Sequence, residues 1–438
     1  MPHPYIPATE EDRRAMLEAI GVSSVDELFG DIPPEHRNPT LDLPPPLSEP
    51  ELLRELGDLA GRNRPAAQMP CFLGAGAYRH FIPSVVGQVV SRGEFLTAYT
   101  PYQAEVSQGT LQTVFEFQSL VCELTGMEVA NAGMYDGASA LAEACLMAAS
   151  ITGRGRIGLL STLHPRYVDV VRTYAGGRGL AVDLMEPDAV AGLGDQACLA
   201  FQQPNFFGYL EDADVLSWAA HDAGALLIAV VDPISLGLLR PPADYGADIA
   251  VAEGQPLGVP LSYGGPYVGM FACRQEYLRQ MPGRLVGRAQ DAEGRTGYVM
   301  TLQTREQHIR RERSTSNICT SEQLVALAVT VYLCILGKQG LRQVAELCYH
   351  KAHYAANQIV QLSGYSMPLE GVFFKEFVVR CPLPPAEVNG GLLERGIIGG
   401  LDVSDRIENG MLFCVTEMNI REEIDVLVEA LGQIGGGR

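Results

Sequence analysis

Lysine is almost missing from this chain of 438 residues. The first 337 residues contain none, and the whole sequence has only Lys338, Lys351 and Lys375. Positive charge is scarce altogether, because 32 Lys and Arg oppose 52 Asp and Glu, which gives a formal net charge of −20. Such a charge repels phosphate backbones and anionic bilayers, so we expect no nucleic-acid or membrane partner. Chemistry that requires a primary amine is excluded from the first 337 residues.

Other absences bear on the compartment. No two of the ten cysteines form a CxxC pair, and most lie in apolar surroundings, so reduced thiols are predicted rather than disulfides or a metal site. The start, MPHPYIPATEEDRR, lacks a basic segment followed by an apolar one, so no signal peptide is predicted. The longest apolar run, Leu324–Leu336, is too short to cross a bilayer and indicates a buried or interface helix. We therefore expect a cytoplasmic protein.

The pattern along the chain predicts three parts. Residues 1–70 combine short helices with a proline-rich arm, and Thr9 with Asp12 suggests a capping box. Residues 71–330 alternate helical segments with apolar strands such as ALLIAVVD, which predicts a large α/β domain with a mostly parallel sheet. Residues 331–438 read as a smaller α+β domain.

One stretch of the predicted large domain suggests a chemistry that the chain itself lacks. ALLIAVVD ends in Asp232, and a Gly-Gly-Pro turn follows in LSYGGP. This layout resembles fold-type-I enzymes that use pyridoxal phosphate (PLP), in which a strand-end Asp pairs with the ring nitrogen and a later lysine binds the aldehyde. The lysine position falls at about Gln255-Pro256, and neither residue has an amine. Lys338, beyond the sheet, is the alternative source of one.

A helix start in the same region has two interpretations. YDGASALAEA places Gly137, Ala138 and Ser139 where free N–H groups and the helix dipole would hold a phosphate. The alternative is a simple Ser/Gly helix cap. The cap is preferred, because no lysine lies nearby in the sequence.

Three long strings identify a family resemblance. They are FLTAYTPYQAEVSQGTLQTVFEFQSLVCELTGMEVANAGMYDGASALAEA, GADIAVAEGQPLGVPLSYGGPYVGMFA and TREQHIRRERSTSNICTSEQL, which together span much of residues 72–325. All three resemble the N-terminal half of the P-protein of the glycine cleavage system. A chain of this length resembles the separate α-type subunit of that family. Arg313-Ser314 departs conservatively from the Lys-Ala expected there.

The resemblance implies a function shared between two chains. PLP would be held covalently by a β-type partner subunit in an α2β2 assembly, and this chain alone would be inactive, with no catalytic residue of its own. Together the two subunits would decarboxylate glycine and transfer the aminomethyl group to the lipoyl arm of H-protein, an oxidoreductase reaction of glycine catabolism. The rival in the same family is a structural or regulatory scaffold with no residue in the active site.

Two loops are predicted to contribute to the partner's site. The first is Thr100–Gly109, TPYQAEVSQG, whose polar groups suit a cofactor phosphate or a lipoyl channel, or else subunit docking; its candidates are Tyr99, Thr100, Tyr102, Gln103, Glu105, Ser107 and Gln108. The second lies in LSYGGP, where a cross-dimer phosphate loop or a plain tight turn would occur; its candidates are Ser262, Tyr263, Gly264 and Gly265.

A third group could bind an anion or, in the preferred interpretation, cap the following helix; it consists of Arg313, Thr315, Ser316 and Asn317. His80 is interpreted as a satisfied core histidine, and Asp232 as a mark of ancestry with strand-end hydrogen bonds. Two further rivals are a self-sufficient PLP enzyme that uses Lys338 and a dinucleotide-binding oxidoreductase. GAGAYR, the only support for the latter, lacks a third glycine and a preceding strand.

Overall fold

The computed structural model describes residues 5–314, 316–318 and 321–436. The chain divides into two compact units, Met1–Arg64 and Pro65–Arg438. The predicted boundaries at 70/71 and 330/331 remain predictions. The regular elements, numbered in chain order, are the helices α1 Glu10–Ile20, α2 Glu49–Ala60, α3 Ser84–Val90, α4 Gly93–Leu96, α5 Gln108–Thr125, α6 Gly137–Thr152, α7 Pro165–Gly177, α8 Ala213–Asp222, α9 Gln307–Arg310, α10 Gln323–Ile359, α11 Pro385–Glu394 and α12 Arg421–Gly435. The strands are β1 Val129–Ala130, β2 Arg156–Leu160, β3 Ala181–Met185, β4 Gln196–Gln203, β5 Leu226–Val231, β6 Ile249–Glu253, β7 Gly269–Cys273, β8 Leu285–Gln290, β9 Thr296–Thr301, β10 Glu376–Arg380, β11 Leu401–Asp402 and β12 Gly410–Cys414.

The first unit consists of α1 and α2 joined by a segment that contains two short 3-10 helices, Val25–Phe29 and Pro34–His36, and then a proline-rich stretch. The predicted capping box is confirmed, since the Thr9 hydroxyl accepts from the Asp12 N–H and the Asp12 carboxylate accepts from the Thr9 N–H. The start of helix α2 has a similar cap, in which the Glu51 carboxylate accepts from the backbone N–H of Ser48 at 2.9 Å. No residue from 5 to 64 is buried, so these helices depend on their local caps.

The second unit is built on a seven-stranded sheet in the order β1-β7-β6-β5-β4-β2-β3. Strands β2 to β6 are parallel, and β7 runs antiparallel to both β6 and β1. The predicted mostly parallel α/β sheet is confirmed. Strand β8 pairs with β9 in a separate antiparallel hairpin.

Strand β5 shows why these apolar runs form central strands. All six of its residues are buried, and their side chains alternate between the two hydrophobic clusters that cover the two faces of the sheet. Leu226, Ile228 and Val230 face the cluster containing α6, whereas the intervening residues face the cluster containing the first half of α10. A strand covered on both faces has no solvent side and needs no polar residue until it ends. Its chain reaches the carboxyl edge of the sheet at Asp232, the edge where ligands bind in open α/β sheets.

Helix α10 links the large sheet to the C-terminal part of the chain. It bends at Gly337, whose backbone is non-helical (φ 58°, ψ −175°). Ala326, Val329 and Tyr332 before the bend pack on the sheet, while Ala352 after it packs in the C-terminal cluster. That cluster covers the three-stranded antiparallel sheet β10-β12-β11 together with α11 and α12.

The predicted helix over Leu324–Leu336 is present, and seven of these 13 residues are buried. Helix α10 is long and apolar enough to cross a membrane, but 44% of its most apolar 18-residue window is buried inside the protein. The segment before the bend covers 14 residues, Gln323 to Leu336, or about 21 Å at 1.5 Å per residue, which is shorter than a bilayer core. Nine of the cysteines lie in the described part of the chain, and all nine are free thiols as expected.

Candidate functional site

The Asp232 carboxylate is bound by a lysine of this same chain. Lys375 lies directly before β10, and its ammonium is 2.6 Å from Asp232 Oδ2. The Lys375 side chain is 2% exposed and that of Asp232 is 11% exposed. Burial alone would lower the pKa of Lys375, but the Asp232 carboxylate beside it raises that pKa above its ordinary value. The lysine is therefore held as a cation in an ion pair with Asp232, and that pair must break before its amine can bind an aldehyde.

Lys375 also contacts other buried side chains near Asp232. We call Tyr78, His80, Asp232, Lys375 and Glu376 the Asp232 pocket. The Lys375 ammonium is 3.1 Å from His80 Nε2 and 3.5 Å from the centre of the Tyr78 ring. Because an ammonium only donates, Nε2 must accept, and the imidazole proton lies on Nδ1. His80 Nδ1 then donates to Glu417 Oε2 at 2.7 Å.

This chain of contacts leaves little scope for a metal ion. His80, Cys348 and Glu417 have ligand atoms within 4.8 Å of one another. However, the His80 Nδ1–H and the Cys348 thiol both point to Glu417 Oε2, and the Lys375 ammonium lies 3.1 Å from His80 Nε2. Burial lowers the pKa of His80, with the charge of Lys375 as the second cause, so the imidazole is neutral. The interpretation of His80 as a satisfied core histidine is confirmed.

Glu376 holds the N-terminal segment of the second unit against β10. Its carboxylate accepts from the Ala75 N–H at 2.6 Å and from the Tyr78 hydroxyl at 2.7 Å. Burial raises the pKa of Glu376 to about 7, and it also raises that of Tyr78 well above its usual value. Tyr78 thus remains a neutral donor and keeps Glu376 beside Lys375.

Gln255 lies near the position of the missing lysine, and its side chain joins the backbone of Tyr78 to that of Val259. Its side-chain oxygen accepts from the Tyr78 N–H, and its amide nitrogen donates to the carbonyls of Tyr78 and Val259, each at 2.8 Å. The side chain is 1% exposed. All of its bonds go to backbone groups, so the residue fixes the loop after β6 and has no group directed at a ligand.

The helix start predicted as a phosphate site or a cap is already occupied by carboxylates. Asp136 Oδ1 accepts from the Ser139 N–H at 2.8 Å, and Glu253 Oε2 accepts from the Gly137 N–H at 2.9 Å. Glu253 is the last residue of β6 and also accepts from the Gln255 N–H at 3.0 Å. Burial raises the pKa of Glu253 to about 7. A helix cap is present as preferred, but the capping residue is Asp136 and not a serine or glycine, and Ser139 lies inside the helix as the partner in the capping box. A bound phosphate would meet two acidic groups.

The space beside Asp232 is too small for a cofactor. The cavity bordered by Asp232, Lys375 and Gly208 has a volume of about 10 Å³, roughly that needed by one water molecule. Asp232 has its cation, Gln255 has no amine, and the helix start holds carboxylates. The residues of this chain therefore do not fit PLP.

The structure does not favour the rival that uses Lys338, and it extends the role predicted for Asp232. Lys338, the alternative Schiff-base lysine, lies exposed on α10 just beyond the bend at Gly337. The amine that reaches the pocket belongs to Lys375, which comes from the C-terminal part of the chain. Asp232 is also more than a strand-end hydrogen-bonding residue, although its carboxylate does accept from the Ile234 N–H. A charged residue in FFKEFVV was the signal available, because lysine in an apolar strand implies a buried partner.

The predicted loop Thr100–Gly109 is tied down at both ends and exposed between them. Arg284, 2% exposed, donates to the Thr100 hydroxyl at 3.4 Å and to the Tyr102 hydroxyl at 3.2 Å, and it stacks on the Tyr102 ring. Gln108 binds β9 by accepting from the Tyr298 N–H and donating to the Tyr298 carbonyl, both at 2.8 Å. The exposed candidates are Tyr99, Tyr102, Gln103 and Glu105, while Thr100, Ser107 and Gln108 are half-buried.

The second loop is exposed and conformationally strained. Ser262, Tyr263, Gly264 and Gly265 all have positive φ, and the Tyr263 side chain is fully exposed. Residues other than glycine rarely adopt this backbone region, and such strain clusters at functional sites. The role of both loops in a partner's site remains a prediction.

The helix-cap interpretation of the third group is wrong for the residues described. Helix α10 begins at Gln323, and the residue at its cap position, Glu322, makes no side-chain cap. Ser316 instead accepts from the Ile318 N–H at 3.1 Å. Arg313 and Ser316 border a polar cavity of about 210 Å³ together with Glu143. Thr315 lies outside the described residues.

Glu143 gives a pH-dependent prediction. Burial raises the pKa of Glu143 to about 7, although the hydrogen bond with the Ser316 hydroxyl and the charge of Arg178 both act to lower it. A folded-state pKa above the unfolded value means that the folded protein holds a proton which the unfolded chain releases, so stability is lost as the pH rises from about 4.5 to 7. We expect Glu143→Gln to raise stability by roughly 2–3 kcal/mol at pH 8 and hardly at all at pH 5. Urea unfolding at both pH values checks this, with the exposed Glu422→Gln as control; equal gains at both pH values would contradict it.

Comparisons with known proteins identify the family of this chain. A family model described as the glycine cleavage system P-protein matches residues 3–431. A probable glycine dehydrogenase (decarboxylating) subunit 1 from Thermomicrobium roseum is 54% identical over 443 residues, covering 98% of each chain. A crystal structure of a glycine decarboxylase P-protein in inhibitor-bound form has a TM-score of 0.91 at 44% identity, covering 99% of this chain and 100% of that one. The sphingosine-1-phosphate lyase of Burkholderia pseudomallei shares the fold alone, with a TM-score of 0.65 at 16% identity, covering 91% of this chain and 93% of that one.

These likenesses and the sheet define the class as a fold-type-I, PLP-dependent transferase-like protein. The chain belongs to the P-protein family of the glycine cleavage system. Within that family it is similar over its full length to chains named subunit 1 of a decarboxylating glycine dehydrogenase, a name that implies a further P-protein subunit.

Proposed function

We propose that this chain is the subunit of a heteromeric glycine decarboxylase that does not bind PLP. Its companion, a β-type subunit in an α2β2 assembly, holds PLP covalently, and the PLP ring supplies the electron sink for decarboxylation of glycine. The aminomethyl group then passes to the lipoyl arm of H-protein. The observation that carries this proposal is the pairing of Asp232 with Lys375, together with Gln255 near the position of the lysine.

In this proposal the chain contributes two loops to the border of the companion subunit's active site. The loop Thr100–Gly109 offers exposed Tyr102, Gln103 and Glu105 on a segment fixed from beneath by Arg284. The loop at Ser262–Gly265 offers the fully exposed Tyr263. Both are irregular segments of the kind that carries binding groups in other folds, and the first is anchored by Arg284 and Gln108. Such groups can orient glycine or the lipoyl arm and exclude water.

A reconstitution experiment tests the proposal. Neither this chain nor its companion alone should release carbon dioxide from glycine, whereas the mixture with lipoylated H-protein should. In that mixture we expect Tyr102→Phe and Glu105→Gln to lower kcat/KM by roughly tenfold or more, because one positioning hydrogen bond contributes about 1.4 kcal/mol or more to the transition state.

Assembly must be measured in parallel by size-exclusion chromatography. Glu422→Gln, on the exposed start of α12, is the matched control and should leave activity unchanged. Full activity of both loop variants in an intact complex would favour the rival function, a scaffold without active-site residues. Activity of this chain by itself would overturn the proposal.

We also propose a cytoplasmic location. It is supported by the nine free cysteines of the described residues, several of them buried, since a reducing compartment preserves such thiols.

A further inference from the structure

The two charges of PLP have counterparts among the side chains of this chain. In enzymes of this class a carboxylate pairs with the protonated ring nitrogen of PLP. Here the Asp232 carboxylate has the same kind of partner, because the Lys375 ammonium lies 2.6 Å away. The contact is made at the carboxyl edge of the sheet and is almost completely buried.

The phosphate has a counterpart as well. A helix start in such a fold attracts the phosphate through its free N–H groups. At the start of α6 the Gly137 N–H donates to Glu253 and the Ser139 N–H donates to Asp136. A cofactor phosphate would have to displace the Glu253 carboxylate and would then be repelled by Asp136.

The same contacts join two parts of the chain. Lys375 directly precedes β10 of the C-terminal sheet, whereas Asp232 follows β5 of the large sheet. The backbone next to Lys375 is also fixed, since the Phe374 N–H donates to the Gly208 carbonyl at 3.0 Å. The backbone that carries Lys375 is therefore fixed beside the large sheet by a contact independent of the ion pair.

We propose that Lys375 and Glu253 take the places of the pyridinium and the phosphate of PLP by binding Asp232 and the Gly137 N–H, so that this chain fills its own cofactor site and holds its C-terminal part closed on the large sheet. The polar groups of the pocket then have partners without any ligand. Neither the ring nitrogen nor the phosphate of PLP would find its usual partner free. This inference rests on the proposed function only in assigning PLP to the companion subunit.

Chemical rescue tests the cationic half. Lys375→Ala removes three methylene groups and the ammonium, and leaves Asp232 buried without its cation. We expect the melting temperature of the full-length chain to fall by about 5 °C. Added n-propylammonium should restore much of that loss by binding the folded state, whereas n-propanol of the same size should not. Lys338→Ala, an exposed lysine of the same chain, is the control and should change neither value.

A neutral pair covers the case in which Lys375→Ala does not fold. The double variant Lys375→Met with Asp232→Asn removes both charges at similar volume, and we expect it to melt within about 2 °C of wild type. Lys375→Met alone should melt several degrees lower. Equal melting of the single and double variants would overturn the role of Lys375, as would equal rescue by the amine and the alcohol.

The anionic half has its own test. The double variant Glu253→Ala with Asp136→Asn frees the Gly137 N–H and removes both carboxylates, so inorganic phosphate should raise the melting temperature of this variant and leave wild type unchanged. A phosphate effect of equal size on both proteins, or on neither, overturns the role of Glu253. These measurements use this chain alone, so they succeed or fail separately from the glycine decarboxylation that tests the proposed function.

Discussion

Replacing Gly208 by alanine should lower the free energy of unfolding by roughly 4 kcal/mol or more. The residue has a φ of 91°, and a Cβ there would overlap the Glu376 carbonyl. The turn cannot move away from the Glu376 carbonyl, because two hydrogen bonds hold it. The Gly208 N–H donates to the Asn205 carbonyl, and the Phe374 N–H donates to the Gly208 carbonyl. The chain must therefore separate at this contact, which would withdraw Lys375 from Asp232.

Urea unfolding of the full-length chain measures the effect. The matched control is Gly87→Ala in α3, where a Cβ meets open space and φ is ordinary. Alanine there should be neutral or stabilise by about 0.5–1 kcal/mol, because it lowers the entropy of the unfolded chain. If Gly208→Ala were as stable as Gly87→Ala, the close contact between the turn and β10 would be wrong.

Replacing Arg284 by methionine should cost roughly 3–5 kcal/mol of stability and much of the activity of the complex. Its guanidinium lies 3.5 Å from Glu306 Oε2, and both side chains are buried. Removing the guanidinium takes a close cation away from the buried Glu306 carboxylate and leaves it with the more distant charge of Arg305 and with His308 Nδ1, 3.5 Å away. It also removes the donors that hold Thr100 and Tyr102. Activity should therefore fall even at temperatures where the variant remains folded.

Arg288→Met is the control for this variant, because Arg288 lies exposed on the same strand, β8. It should leave stability and activity close to wild type. The double variant Arg284→Met with Glu306→Gln should recover stability but not activity, since the loop still lacks its anchor. Recovery of both would mean that the anchor has no role in the reaction.

Much of the fold could be predicted from the pattern of the chain. Continuous apolar runs such as β5 require burial on both faces, and their alternation with helices leaves a parallel sheet as the simplest solution. The capping box at Thr9 is equally local, since its four atoms lie within one turn. The absence of lysine from the first 337 residues already indicated that the large sheet could not tether an aldehyde cofactor.

The filled pocket could not be predicted in the same way, because its parts are far apart in sequence. Lys375 and Asp232 are separated by more than 140 positions, and no periodicity or spacing joins them. Glu376 likewise binds Ala75 across 301 positions. Sequence reasoning located Asp232 and the empty lysine position, but it considered Lys338, which is nearer in sequence, and passed over Lys375. Only the packing of the C-terminal sheet brings that lysine to the large one.

The most direct measurement asks which chain carries the cofactor. The complete complex, equilibrated with PLP and reduced with borohydride, would be digested, and the modified lysine identified by mass spectrometry. The account predicts that the reduced adduct lies on the companion subunit and that Lys338, Lys351 and Lys375 are unmodified. An adduct on Lys375, or on either of the other two lysines of this chain, would contradict it.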